Sequence, residues 1–188
     1  MSRTCLAFAA VVFTLTLGAG GLAAQDHIRT PAAEAPAPAL DDATIVAIFD
    51  NANTADIETG KLAAERGWTE EVRQFGAMLV RDHEMVRRQG RDLARKLGVT
   101  PTPPPDDQST QELAAVIRRL TGLRGPEFDQ ASLQREVQFH QDAVAAIEST
   151  LLPAIKNEEL RALVVKVTPA FQAHLTMAEN LLTRVATN

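Results

Sequence analysis

Apolar residues recur at steps of four and three along four stretches of the chain, and each stretch predicts a helix with one core-facing stripe. The first is Ala43–Arg66, where Ile48, Ala52, Ala55, Thr59 and Leu62 form the stripe, with Ile45 and Phe49 beside it. Asp41 or Asp42 caps its start and Gly67 follows its end. The second is Glu70–Leu97, with Val72, Gly76, Leu79, His83, Val86, Gly90, Leu93 and Leu97 in line and Phe75 and Met78 widening the face. Glycine inside a helix costs about 1 kcal/mol relative to alanine. At Gly76 and Gly90 it therefore predicts that another helix passes close by. The third is Asp129–Leu152, striped by Leu133, Val137, His140, Val144, Ile147 and Leu151. The fourth is Glu158–Ala186, striped by Leu160, Val164, Val167, Phe171, His174, Ala178, Leu181 and Val185.

Proline marks the interruptions. Pro153 removes a backbone donor near the end of the third helix, which places the true turn near Asn157, and Pro169 predicts a kink or a distorted turn within the fourth. Between the second and third helices the run PTPPPDD excludes a helix interior. Ser109 or Thr110 then caps a short helix over about Gln111–Leu120. A connection of that length carries the chain from one end of a bundle to the other, so the long helices on either side of it run parallel. The expectation is an all-α chain: a four-helix bundle over residues 42–186, with a long crossover containing a short helix.

The first 24 residues change the picture of location. Arg3 precedes an apolar run, Cys5–Leu17, and the small residues Gly18–Ala24 follow, the layout of a cleaved secretory signal. The run is short for a membrane span, so no stable span is expected after cleavage. Residues 25–41, rich in alanine and proline, read as a flexible tether. Export, most simply to the periplasm, is expected. Cys5 is the only cysteine, so the mature domain has neither disulfides nor thiolate metal ligands. The net charge of −5 becomes −6 without Arg3, and no basic cluster stands clear of acids; nucleic acid is not an expected partner. With no tyrosine and one tryptophan, carbohydrate-binding and all-β readings lose their support.

Candidate chemistry lies in the histidines. Of four, His27 falls in the tether. His83, His140 and His174 fall one to each of three long helices, each where its stripe calls for an apolar residue. His140 and His174 are equally far in sequence from Asn157, so an antiparallel pair brings them to one depth. A buried imidazole needs a partner. Three of them with a carboxylate make a site for a transition metal, with iron, manganese or zinc the expected ions. Asp56 and Glu58 are the candidate acids from the first helix, and Glu136, one turn before His140, is a candidate ligand or acceptor. Asp82 points about 100° away from His83 and is expected to orient a neighbouring group. An open coordination position would take water or a small oxidant, peroxide or dioxygen. The competing reading is a non-enzymatic envelope or stress-response protein in which the histidines form a structural or pH-responsive polar layer. No methionine stripe, CxxCH or glycine-rich phosphate loop is present.

Several phrases carry a resemblance: DIETGKLAAERG at Asp56–Gly67, VRQFGAMLVRDHEMV at Val72–Val86, LTGLRGPEFDQASLQREVQFHQDAV at Leu120–Val144 and TPAFQAHLTMAENL at Thr168–Leu181. The chain resembles the bacterial exported domain-of-unknown-function 4142 family over about Asp42–Ala186. The resemblance implies a ferritin-like bundle. It places the family's histidines on His83, His140 and His174 and its acidic position on Asp56 or Glu58. Ferritin-like proteins with two metals take a glutamate from each of two helices and an ExxH from each of the other two. This chain has no ExxH: Glu136 and His140 are four apart, and no acid precedes His174 within a turn.

Overall fold

The computed structural model describes residues 40–186. The expected signal and nearly all of the tether lie outside them. The described residues form α1 (Asp42–Arg66), α2 (Glu70–Leu97), α3 (Ser109–Thr121) and α4 (Gly125–Ala146). A π-helical turn (Ile147–Leu151), a single turn α5 (Leu152–Ala154) and α6 (Glu158–Val185) complete them. The long helices α1, α2, α4 and α6 make the four-helix bundle, and no described helix is long and apolar enough to cross a membrane.

Contacts at the helix ends give the directions. At one end, the Asp42 carboxylate accepts from the backbone N–H groups of Lys156 and Asn157, so α1 begins where α6 begins. Lys96, at the close of α2, pairs with Glu159 there. At the opposite end, Asp129 in the first turns of α4 accepts from the N–H groups of Trp68 and Thr69 at 2.7 and 2.8 Å. Thus α2 and α4 start together and run parallel, as the crossover predicts. The short helix α3 returns the chain between them along α1. Asn51 holds its start through Ser109, and Arg66 holds its end through the carbonyls of Thr121 and Leu123.

Glycine lets the α1–α2 pair approach closely. A Cβ on Gly76 would lie 2.5 Å from the Ala64 nitrogen and 2.6 Å from the Gly60 oxygen. At Gly90 the neighbour is instead the Phe49 ring, which would stand 3.0 Å from an added Cβ. Two apolar clusters fill the bundle. One joins Ile45, Phe49, Val86, Ile147, Leu160 and Val164 near the α1 start; the other joins Val72, Phe75, Leu79, Leu133 and Leu181 near the α2 start. A buried polar layer lies between them in sequence position on every long helix.

Two expectations shift. In α1 the buried line runs Ile45, Phe49, Asn53, Asp56, Gly60 and Ala63, whereas Ile48, Ala52, Ala55 and Leu62 are half-buried. The alanines flank the core because polar Asn53 and Asp56 occupy the positions facing it. The third long helix starts earlier than expected, at Gly125, whose φ of 57° breaks from α3. It then widens into the π turn, where the Leu152 N–H reaches back to the Ile147 carbonyl. That shift of the ladder precedes Pro153, which has no N–H to continue it. At Pro169, α6 stays continuous. The carbonyl four residues back belongs to Val165, 54% exposed, where water can take the place of the missing donor.

Candidate metal centre

Each long helix contributes to one buried cluster. From α1 come Asn53, Asp56 and Thr59, from α2 His83, from α4 Arg135, Glu136 and His140, and from α6 His174. Asp56 and His140 are wholly inaccessible, and His83, Glu136 and His174 nearly so. The three imidazole centroids lie 5.2–5.7 Å from one another; the shared depth of His140 and His174 is the one their equal spacing from Asn157 predicts, and His83 joins them. Phe171 packs edge-on against His83 at 5.1 Å, closing the apolar side.

The protonation of each ring follows from its outward partner. Asn53 donates its Nδ2 to the Phe49 carbonyl at 2.7 Å, which turns its Oδ1 toward His83 Nδ1 at 2.9 Å. That oxygen can only accept, so His83 carries its proton on Nδ1. His140 Nδ1 faces the Glu136 backbone carbonyl at 3.0 Å, again an acceptor. His174 Nε2 faces the Asp82 carboxylate at 3.2 Å, the orienting role expected for Asp82. Each outward nitrogen is therefore a donor, and the nitrogens turned inward are Nε2 of His83, Nε2 of His140 and Nδ1 of His174. All three of these atoms are buried without a hydrogen-bond partner, as is Asp56 Oδ2.

Asp56 Oδ2 lies 3.0 Å from His83 Nε2 and 3.3 Å from His140 Nε2, close but not aligned as hydrogen bonds. Donor atoms held at about 2.0–2.2 Å from one ion are separated by about 2.8–3.6 Å at octahedral or tetrahedral angles. The spacing here matches that of neighbouring ligands. His83, His140 and His174 can each present a donor atom with all three within 4.8 Å of one another, and so can Asp56, Glu136 and His140. This buried group could hold a metal ion.

The other carboxylate oxygens turn to Arg135. Its Nη1 donates to Asp56 Oδ1, to Thr59 Oγ1 at 2.8 Å and to Glu136 Oε1 at 2.7 Å. The guanidinium stacks on Phe139, 4.1 Å from the ring centroid. Burial by itself would raise the Asp56 carboxyl, but the charges of His140, His83 and Arg135 outweigh it and hold the group below the usual carboxylate range. For Glu136 burial prevails and pushes the group up. Burial, followed by the charges of His83 and His140, lowers His174 to about 4. That imidazole is neutral at pH 7, the form a metal requires.

Of the acids expected from the sequence, Asp56 and Glu136 reach the cluster and Glu58 does not. Two residues beyond Asp56, Glu58 is turned about 200° around the helix and pairs with Lys61 on the surface. Sequence reading missed Arg135, Asn53 and the polar role of Thr59. Continuing the α1 stripe from Ile45 and Phe49 through position 53, rather than along the alanines, would have found Asn53 beside Asp56. Arg135 carries no such signal, since a charged residue at a stripe edge ordinarily faces water.

A family model described as domain of unknown function (DUF4142) matches residues 28–181. No curated protein matches the chain. Among solved structures, the chain is similar to the crystal structure of a DUF305 fragment from Deinococcus radiodurans, with a TM-score of 0.65 and 18% identity. The match covers 76% of this chain and 95% of that one. At that identity the likeness is one of helical fold alone.

Proposed function

We propose, for a chain that belongs to the DUF4142 family, that it is an exported ferritin-like domain whose core binds a transition metal ion through His83, His140, His174 and Asp56. One observation carries this reading. Three imidazole nitrogens and a carboxylate oxygen are buried together, none of them in a hydrogen bond. Acceptors gathered in an apolar interior repel one another and have lost their water. A cation between them removes both penalties. The outward partners support it further, because a ligating imidazole ordinarily donates its other N–H to a carbonyl or carboxylate. Asn53, the Glu136 carbonyl and Asp82 supply those acceptors.

Three nitrogens and an oxygen suit iron, manganese or zinc. Were the centre catalytic, an open coordination position would take water, peroxide or dioxygen, and redox chemistry would belong to the metal. In the rival reading, a structural polar layer, each histidine would pair with its own acid. His174 does so with Asp82, but His83 and His140 converge on the same oxygen of Asp56.

Elemental analysis of untagged protein from its native compartment tests the proposal. The wild type is expected to retain a transition metal, and His140→Ala to lose it while keeping its helical circular dichroism. Full occupancy in that variant removes His140 from the ligand set. Recovery of the protein in the periplasmic fraction, shortened at its N-terminus, tests export; a cytoplasmic full-length chain contradicts it.

A further inference from the structure

Asp56 and Glu136 each divide their oxygens in the same way. Asp56 Oδ1 and Glu136 Oε1 accept from Arg135 Nη1, while Asp56 Oδ2 and Glu136 Oε2 are buried without a hydrogen-bond partner. Asp56 thus faces two positions, as a bridging carboxylate does between paired ions, and Glu136 Oε2 lies 3.6 Å from His140 Nδ1 beside it. The first position is the one among the imidazoles. The second is filled by a guanidinium nitrogen, which also takes the Thr59 hydroxyl. Asp56, Glu136 and His140 are close enough to form a metal group of their own, yet one face of it is occupied by this fixed cation. Arg135 is held there: its side chain is 7% exposed and stacked on Phe139. An arginine retains its charge whatever its surroundings, so it does not vacate the position by losing a proton.

We propose that Arg135 is a built-in second cation, which restricts the core to one metal ion and closes the Asp56–Glu136 pair to another. This rests on the metal-binding reading above and adds the count. It gives a physical reason why a ferritin-like bundle manages without two ExxH motifs. A one-ion centre also cannot clamp a substrate between two metals, so the two-metal class of reactions is excluded.

Stoichiometry provides the test. Metal-stripped full-length chain is titrated with zinc and, separately, with manganese, and bound ion per chain is measured after gel filtration. The wild type is expected to bind one ion and Arg135→Lys, which keeps a cation, also one. Arg135→Met is expected to bind two, falling back to one when Glu136→Gln is added. Where Arg135→Met does not fold, Arg135→Gln, which retains a donor toward a carboxylate, is read in its place. Two ions in the wild type, or one in the folded Arg135 variant lacking the charge, overturns the proposal. No ion in the wild type defeats the metal centre itself, a different result from a wrong count.

Discussion

His83, His140 and His174 have ordinary surroundings on their outward sides and unusual ones on their inward sides. The outward acceptors are what can be altered without touching the ligands. Asp82 sits at the edge of the cluster, 22% exposed, and is paired with Arg81 as well as with His174, so Asp82→Ala is expected to fold normally. Losing an outer partner of a ligating histidine typically lowers metal affinity about 10–100-fold. Calorimetric titration with zinc should show that loss for Asp82→Ala and a much smaller one for Asp82→Asn, whose Oδ1 still accepts from His174. Asp56 is less forgiving. It faces His83, His140 and Arg135 at once, and removing one partner of a buried ionic group costs about 3–5 kcal/mol. Urea unfolding of metal-free Asp56→Ala should register a loss of that order. At this scale the sequence picked out the three histidines that the fold buries together, because each interrupts an apolar stripe. It did not reveal Arg135, because only the packing shows that its guanidinium points inward.

The helices were legible where their periodicity was apolar and misread where it became polar. α2 and α6 follow their predicted stripes nearly throughout. In α1 the inward line at the depth of the cluster is Asn53 and Asp56, so the neighbouring alanines looked like the core face. Capping shows a related limit. Thr69 makes no side-chain cap to α2; Asp129, sixty residues further on, caps that helix from α4 and also accepts from the Thr69 hydroxyl. A hydrogen bond to a charged group contributes about 1.5–3 kcal/mol, and Asp129→Ala strands two N–H groups at a helix start. A loss of about 3 kcal/mol in urea unfolding is expected, well above the ~1 kcal/mol typical of a local cap. Gly76→Ala sets helix propensity against sterics. Propensity favours alanine by about 1 kcal/mol, but the new Cβ meets backbone of α1 at 2.5–2.6 Å, which no rotamer change relieves. Overpacking of this kind costs about 1–3 kcal/mol, so the variant should be less stable than the wild type despite its better helix former.

For the whole molecule, the cluster is a local defect in an otherwise apolar bundle, bracketed by hydrophobic clusters toward either end. An ion bound there, as proposed, would link stability to metal concentration. An ion at about 100 times its dissociation constant adds about 2.7 kcal/mol. Thermal melts of the wild type should therefore shift upward with added zinc and return with chelator, while His140→Ala shows no such response. A shift of equal size in that variant would place the ion elsewhere.

The order of apolar residues along this chain was enough to specify four long helices, a parallel crossover and three core-facing imidazoles, two of them at one depth, because stripe and spacing are properties of a single strand of sequence. Which acid turns inward, how the outward nitrogens are protonated, and what stands opposite the carboxylates were decided only when the four helices came together. Those features depend on side chains meeting from different elements: Asp56 from α1, His83 from α2, Arg135 and His140 from α4. No periodicity within one helix encodes the rotation of its neighbour, and it is that rotation which left Glu58 in water and brought a guanidinium into the core.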